Sequence, residues 1–279
     1  MDNGNPLTEQ EIEHAVAIRE AALKDPQLAL IAQEMTDLQY IQHAVCAKEK
    51  VDTALRRIRN LQDFKDRYGI LSDGSYEQGL RDVQACQRFF PRMLLAMGQD
   101  GPASAVVYAM DLAQYDARKL VSEEAHAVVM RTFLYLLQAG QSNVVAMRQG
   151  IRVVANYEGL GWHQFSLSGE QRSRQLYSRC YPMRVREMAM MQAHPLVRLL
   201  YRLLKPFMSP KVAQVFCCPP HRQAFLEAHA DVYPPTVLPT AWGGRLSPDQ
   251  WDKRFAHKLR ERYHNAAHLQ CLPPTNEPE

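Results

Sequence analysis

The first third of the chain alternates apolar and polar residues with the period of an α-helix. Apolar side chains recur at i, i+3, i+4 and i+7, which places them on one face of each helix. The predicted helices span about residues 8–24, 27–45, 48–68 and 75–90. Thr8 and Glu11 have the spacing of a capping box at the first start, and Gly69 is a natural end for the third helix. We therefore expect a helical lobe over residues 1–88.

The pattern changes after residue 91, where short apolar runs of strand length replace the helical spacing. These runs cover residues 93–97, 105–110, 151–155 and 185–191. Helices predicted at about 122–141 and 170–180 precede the third and fourth runs. Alternating strands and helices require crossover connections, so we expect an α/β fold with a mixed, largely parallel sheet flanked by helices. We place this domain at residues 89–247, and a C-terminal helix and tail at 248–279.

A short segment after the fourth strand is apolar over most of its circumference. Pro195 suits the start of a helix and Pro206 lies just beyond its end. The apolar face consists of Leu196, Leu199, Leu200, Leu203 and Phe207. A narrow basic stripe consists of Arg198, Arg202 and Lys205. Such a helix either packs in a core or lies at a lipid interface with its cations toward anionic headgroups. The pattern alone leaves both alternatives open.

Composition and charge exclude several classes of protein. Of 279 residues 46% are hydrophobic, and the formal net charge of +3 gives no argument for nucleic acid as a partner. The six cysteines are scattered and no secretory signal opens the chain, so we expect a reducing, cytoplasmic compartment. No apolar run approaches the roughly 18 residues of a membrane span, so any membrane contact is expected to be peripheral.

The motifs of familiar enzymes are missing from the sequence. It contains no phosphate-binding loop, no dinucleotide fingerprint and no nucleophile elbow. The passage from Cys217 and Cys218 to His221 comes nearest to a metal site, but adjacent cysteines fit one tetrahedral ion poorly and a second ligand pair is missing. We therefore expect no catalysis, no metal and no cofactor.

Two features near the apolar helix have a functional interpretation. Met188 and Met190 make the fourth strand rich in a side chain that adapts to irregular apolar ligands, with ordinary core packing as the alternative. Arg184, Arg186 and Lys211 flank the helix, where contacts to anionic headgroups are useful; a solvated face is the alternative here.

Four passages between residues 150 and 245 resemble the CRAL-TRIO lipid-binding domain family in order and spacing. They are GIRVVANYEGLG (150–161), YP (181–182), LLKPFMSPKV (203–212) and LPTAWGG (238–244). The resemblance implies a sheet floor, helical walls and an apolar cavity closed by a mobile gate helix, here residues 195–204. The helical first third is similar to the family's N-terminal lobe, although the arginine-rich signature of that lobe is absent.

The resemblance also implies which residues contact the ligand and which contact the membrane. Ligand positions are Met130, Phe133, Leu137, Ile151, Val153, Ala155, Leu176, Tyr177, Met188, Met190, Leu200, Leu203 and Phe207. Among the cations, Arg184, Arg186 and Lys211 match family positions that meet membrane phosphoinositides. The basic stripe of the apolar helix adds Arg198 and Arg202 as expected membrane contacts. Core packing is the alternative for each ligand position.

Departures from the family pattern indicate a weakly polar cargo. Met183 and Val215 stand where phosphatidylinositol-transferring members have an acidic residue and a lysine. Ile151 and Val153 stand where phosphatidylcholine-binding members offer hydroxyls. A buried phosphate without such partners is left unpaired at a high cost. We therefore expect a neutral lipid, such as a sterol or an isoprenoid, rather than phosphatidylinositol.

Three hypotheses follow from the sequence. The first is a monomeric cytoplasmic protein that holds one hydrophobic molecule and exchanges it at anionic membrane surfaces through its gate helix. The second is a membrane-recruitment or regulatory adaptor that keeps the fold and uses its surface for phosphoinositide or protein contacts without transfer. The third, a lipid-acting hydrolase, has no nucleophile motif to support it.

Overall fold

The computed structural model describes residues 7–47, 50–70, 76–100, 104–120, 122–161, 164, 176–208, 210–268 and 272–273. The first half of the helix predicted at about 170–180 lies outside these residues. Its described end, Leu176–Cys180, forms a π-helical turn.

The N-terminal lobe is helical, as the apolar spacing predicts. Its elements are α1 (Glu9–Lys24), α2 (Ala29–Glu34), α3 (Asp37–Gln42), a π-helical turn (His43–Ala47), α4 (Val51–Tyr68) and α5 (Tyr76–Phe89). The predicted capping box is confirmed, because the side chains of Thr8 and Glu11 each accept the backbone amide of the other. Gly69 ends α4 with a φ of 64°, a left-handed conformation that glycine adopts without steric cost.

The helix predicted at 27–45 is wrong as one continuous element. Met35 is extended after α2, and Thr36 starts α3 with a second capping box. The Tyr40 hydroxyl then donates to the Ala32 carbonyl at 2.9 Å, which holds α3 against α2. A capping signal inside an apolar pattern therefore divides the helix here without changing which residues are buried.

The described strands form one mixed sheet in the order β1-β2-β3-β4-β5. They are β1 (Leu94–Gly98), β2 (Val106–Asp111), β3 (Ile151–Asn156), β4 (Val185–Met191) and β5 (Phe216–Cys217). β1 and β2 are antiparallel, whereas β2 to β5 pair in parallel, as the predicted crossovers require. The sequence does not predict β5, because two residues are too few for a pattern.

Helices and turns cover both faces of the sheet. The remaining helices are α6 (Glu123–Gly140), α7 (Val144–Gln149), α8 (Pro195–Leu204), α9 (Pro210–Val215), α10 (Arg222–Ala228) and α11 (Trp251–His268). One face shares its core with α5, α6 and α11, and includes Tyr108 and Ile151. The opposite face, with Val107 and Val154, packs against α10 and the segment around Trp242.

The C-terminal helix α11 is part of the main core. Trp251, Phe255 and Leu259 are buried against α5, α6 and β1. Arg262 donates to the Gln141 carbonyl at 3.1 Å, at the end of α6. These contacts tie the last helix to the same core as the sheet, while the division of the chain into three domains stays a prediction.

Candidate functional site

The register of the parallel strands brings five of the predicted ligand positions to one face of the sheet. Val153 lies opposite Met188, and Ala155 lies opposite Met190. Ile151 is on the same face as Val153, two residues earlier on β3. We call this surface, formed by Ile151, Val153, Ala155, Met188 and Met190, the apolar floor.

The apolar floor extends further than the sequence predicts. Phe216 on β5 pairs with Met188, and Tyr108 on β2 pairs with Val153, so both side chains lie on the floor side of the sheet. The Tyr108 hydroxyl donates to the Leu136 carbonyl at 2.6 Å, which satisfies its polar group. Phe216 could have been found only from the pairing of a two-residue strand.

Helix α6 crosses the floor side of the sheet with Met130, Phe133 and Leu137 on one side. At 100° per residue, this side faces away from Arg131 and Tyr135, which bind α5. Met130 and Leu137 are buried, and Phe133 is half-buried. Their placement beside the floor agrees with a wall of the predicted cavity, and their role in ligand contact stays a prediction.

Close approach of α6 to β3 depends on one glycine. A Cβ at Gly140 would lie 2.7 Å from the Cγ2 atom of Ile151 and 3.0 Å from the Tyr108 hydroxyl. These contacts are too short for a side chain, so glycine sets the distance between the helix and the apolar floor.

A second wall is held to the N-terminal lobe. Leu176 is fully buried at the start of the π-helical turn. Asn60 on α4 donates to the Arg179 carbonyl at 3.0 Å, and Arg57 donates to the Tyr181 carbonyl at 3.3 Å. The side chain of Tyr177 lies outside the described set, so its predicted contact is not placed.

Helix α8 has the predicted bounds and turns its apolar face outward. The ring of His194 accepts the Leu196 amide at 3.2 Å and caps the first turn. Its outward side carries Leu196, Leu199 and Leu203, which are 43%, 50% and 58% exposed. Phe207, in the 3-10 turn that follows the helix (Lys205–Phe207), extends this side and is 87% exposed. Large exposed apolar patches on a folded protein mark binding surfaces.

The attachment of α8 to β5 explains this orientation. The Tyr201 hydroxyl donates to the Phe216 carbonyl at 2.5 Å. Tyr201 lies about 160–200° around the helix from Leu199 and Leu203, at 100° per residue. In this conformation Leu203 and Phe207 therefore do not meet the apolar floor, contrary to their predicted place. The side chain of Leu200 is outside the described set.

The basic stripe of α8 lies nearer the sheet than the exposed leucines do. Lys205 is 5.8 Å from the centre of the Tyr201 ring, and Arg202 is exposed. The Nε atom of Arg198 is buried without a hydrogen-bond partner among the described residues. Burial raises the pKa of the Cys218 thiol, and the charges of Arg198 and Arg202 oppose that rise. The stripe thus borders the end of β5 at the margin of the exposed apolar face.

The other predicted cations gather where β4 begins. Arg184 donates to the Arg148 carbonyl at 3.0 Å, and Arg186 donates to the Gln149 carbonyl at 2.7 Å, so both satisfy the free end of α7. Burial, with the charges of Arg184 and Arg152, lowers the pKa of Arg186. A cluster of positive charges such as Arg184, Arg186 and Arg152 attracts anions.

Lys211 belongs to the same end of the sheet by its backbone. It lies on α9, which leads directly into β5 and packs against β4. Because β5 runs parallel to β4, α9 lies toward the start of β4, where Arg186 is found. The side chain of Lys211 is outside the described set, and the phosphoinositide contact of all these cations stays a prediction.

The cysteine pair at the end of β5 is poorly suited to catalysis. Burial, together with the Glu187 carboxylate, raises the pKa of the Cys217 thiol to about 12. The thiol donates to Glu187 at 3.3 Å, and the Tyr233 hydroxyl donates to the same carboxylate. A protonated thiol is a weak nucleophile and a poor metal ligand. Among the described residues, no group of three or more histidine, cysteine or acidic side chains is placed to hold a metal ion.

Helix lengths bear on the question of a membrane span. In the described part of the chain, every helix is too short or too polar to cross a bilayer.

Comparisons with known proteins agree with this geometry. The CRAL/TRIO domain profile matches residues 92–244, which contain all five described strands and α8. The crystal structure of Sfh5 superposes with a TM-score of 0.52 and 12% identity, covering 80% of this chain and 85% of that one. A likeness at this identity shows the fold alone. The search of curated proteins gave no significant match.

Proposed function

Since the chain belongs to the CRAL/TRIO domain family, we propose that it holds one hydrophobic molecule over the apolar floor and exchanges it at membranes through α8. Membership over residues 92–244 supports a lipid-binding protein rather than an enzyme. The exposed apolar face of α8 is the observation that carries the exchange step. Exposure of an apolar face to water is unfavourable, and a bilayer removes that exposure by covering the face.

The exchange is a population shift. The Tyr201 hydroxyl joins α8 to β5 by a hydrogen bond to the Phe216 carbonyl. One neutral hydrogen bond contributes about 0.5–1.5 kcal/mol. The four apolar side chains already point away from the floor, so a bilayer that covers them stabilises this outward conformation of α8 by more than one such bond, relative to a conformation that turns them toward the floor.

The cargo is a neutral or weakly polar lipid. The floor consists of aliphatic and thioether side chains, and Tyr108 has its hydroxyl satisfied by Leu136. Met183 is half-buried against the same core. A phosphate in such surroundings is costly because it lacks cationic or hydroxyl partners. A sterol or an isoprenoid, with one polar group at most, meets no such cost.

The cations at the start of β4 support an anionic membrane surface as the second partner. Arg186 is exposed and Arg184 is half-buried at the start of β4, beside α9, which supports contact with headgroups that carry phosphate. The same arrangement also favours the second candidate function, an adaptor that binds anionic membranes and transfers nothing. The two functions differ only in whether a lipid leaves the membrane with the protein.

Transfer between vesicles tests the proposal. Donor vesicles carry a fluorescent sterol, acceptor vesicles carry a quencher, and the protein is expected to raise the rate of quenching. The Leu200→Asp variant is expected to lose transfer, and Arg184→Glu with Arg186→Glu mainly to lose binding to anionic vesicles. Vesicle binding without any transfer, for sterol and for phosphatidylinositol alike, would establish the adaptor in place of the carrier.

A further inference from the structure

A cleft of about 300 Å³ opens between α11 and the edge of the sheet formed by β1. One wall comes from the first two turns of α11, and the other from the end of β1 and the start of β2. The lining residues are Met97, Gly98, Gln99, Val106, Lys253, Arg254, His257 and Lys258. The cleft therefore has one basic wall, from α11, and one largely apolar wall, from β1 and β2.

The charge of the basic wall is largely uncompensated. The Nζ atom of Lys258 pairs with Glu261 at 2.9 Å, and Glu261 also accepts the Ser142 hydroxyl at 3.0 Å. Lys253 and Arg254 have no ion pair or hydrogen bond from their side chains to any described residue. At 100° per residue, Asp252 lies on the far side of α11 from the middle of the cleft wall. Two positive charges thus line the cleft with no ionic partner among the residues that the structure describes.

The position of these cations in α11 is unfavourable for the helix itself. Lys253 and Arg254 lie in the first turn, where the partial charge of the helix end is positive and acidic side chains are preferred. Cations there lower helix stability unless an anion lies between them. A bound anion would relieve this repulsion.

We propose that this cleft binds a small ligand that carries phosphate groups. Arginine offers a planar fork of N–H donors and lysine a mobile point charge, and together they match the oxygens and the double charge of a phosphate ester. The volume is at the lower end of the range for small-molecule sites, about 300–1,000 Å³. Met97 and Val106, both buried, provide an apolar surface for the body of the ligand.

The cleft is separate from the cations and the helix assigned to membrane contact. β1 and β5 form opposite edges of the sheet, four strand spacings apart. α8 is hydrogen-bonded to β5. At about 4.8 Å per spacing the two edges are roughly 19 Å apart. The cleft is therefore spatially separate from the proposed exchange site, and its test does not depend on the proposed cargo.

Calorimetric titration of the full chain with inorganic pyrophosphate and with inositol 1,4,5-trisphosphate tests the soluble form of this ligand. Flotation with vesicles containing phosphatidylinositol 4,5-bisphosphate tests the same headgroup on a lipid. The pocket variant is Lys253→Ala with Arg254→Ala. The control variant, Lys24→Ala with Arg56→Ala, removes the same charge from exposed positions on α1 and α4.

At least one probe is expected to bind the unaltered protein. Its affinity is expected to fall at least about tenfold in the pocket variant, because a charge-assisted hydrogen bond is lost. In the control variant the affinity is expected to fall less than about twofold. Alanine relieves the repulsion at the helix start, so the melting temperature of the pocket variant is expected not to fall. Binding of the soluble probes identifies a free phosphate ligand, and binding of vesicles alone identifies a lipid headgroup. Failure of all three probes, or equal losses in both variants, overturns the proposal.

Discussion

Removal of two outward apolar side chains, one on α8 and one in the turn after it, is expected to abolish most of the binding to neutral vesicles. The variant is Leu203→Ala with Phe207→Ala, at positions that are 58% and 87% exposed. Full burial of a leucine or phenylalanine side chain contributes about 1.5–3 kcal/mol, so covering the exposed parts of these two contributes roughly 3 kcal/mol. This energy corresponds to about a hundredfold in the partition coefficient.

The effect on folding is expected to be small, because neither side chain packs in a described core cluster. Surface substitutions of this kind usually change the free energy of unfolding by less than about 0.5 kcal/mol. Leu30→Ala is the matched control, since Leu30 is 79% exposed on α2 in the N-terminal lobe. Its vesicle binding is expected to equal that of the unaltered protein.

Co-sedimentation with neutral phosphatidylcholine vesicles measures the partition coefficient, and urea unfolding of the same samples measures stability. A loss of less than about threefold in the α8 variant would refute the assignment of this face to the membrane, because the exposed area then contributes almost nothing. An equal loss for Leu30→Ala would show a general effect of exposed leucines and would refute it as well.

Three further outcomes follow from described contacts. Asp82→Ala removes the carboxylate whose two oxygens lie 2.9 Å from the buried guanidinium of Arg131, while Glu124 and the Tyr68 carbonyl remain as partners. The free energy of unfolding is expected to fall by about 1.5–3 kcal/mol in urea titrations. Arg186→Gln is expected to weaken flotation with anionic vesicles severalfold while sterol loading is retained. For Glu11, burial would raise the pKa, but hydrogen bonds from Arg148 and Thr8 hold the pKa below 4.5, so its stabilisation is present above that value and is lost as the pH falls through the lowered pKa. Replacement of Glu11 by glutamine is expected to weaken the dependence of the free energy of unfolding on pH below about pH 4.5, measured by urea midpoints. An unchanged dependence on pH in this range would contradict the ion pair.

The sequence predicts most local elements because their signals are local. Capping boxes, glycine ends and prolines fix where α1, α4 and α8 begin or end, and α8 has the predicted bounds Pro195–Leu204. Parallel pairing follows from the alternation of strands and helices. Thr36 shows the limit of this approach, since a capping signal within an apolar pattern divided a predicted helix.

The arrangement of the candidate site depends on contacts between distant residues, which no local pattern contains. The outward face of α8 follows from the bond between Tyr201 and the Phe216 carbonyl, fifteen positions away. Phe216 joins the apolar floor only through its pairing with Met188. The cleft beside β1 requires Lys253 and Val106 to meet across more than half of the chain. Apolar spacing predicts which face of an element a residue lies on, and it does not predict which distant residues that face contacts.

Native mass spectrometry of the protein after incubation with mixed-lipid vesicles tests the central claim most directly. The sample contains sterol, isoprenoid, phosphatidylcholine and phosphatidylinositol in equal amounts, and the protein is separated from the vesicles before measurement. The account predicts one added molecule per chain, with the mass of a neutral or weakly polar lipid. Protein that emerges without any bound lipid would contradict the carrier function, and a bound phosphatidylinositol would contradict the neutral cargo.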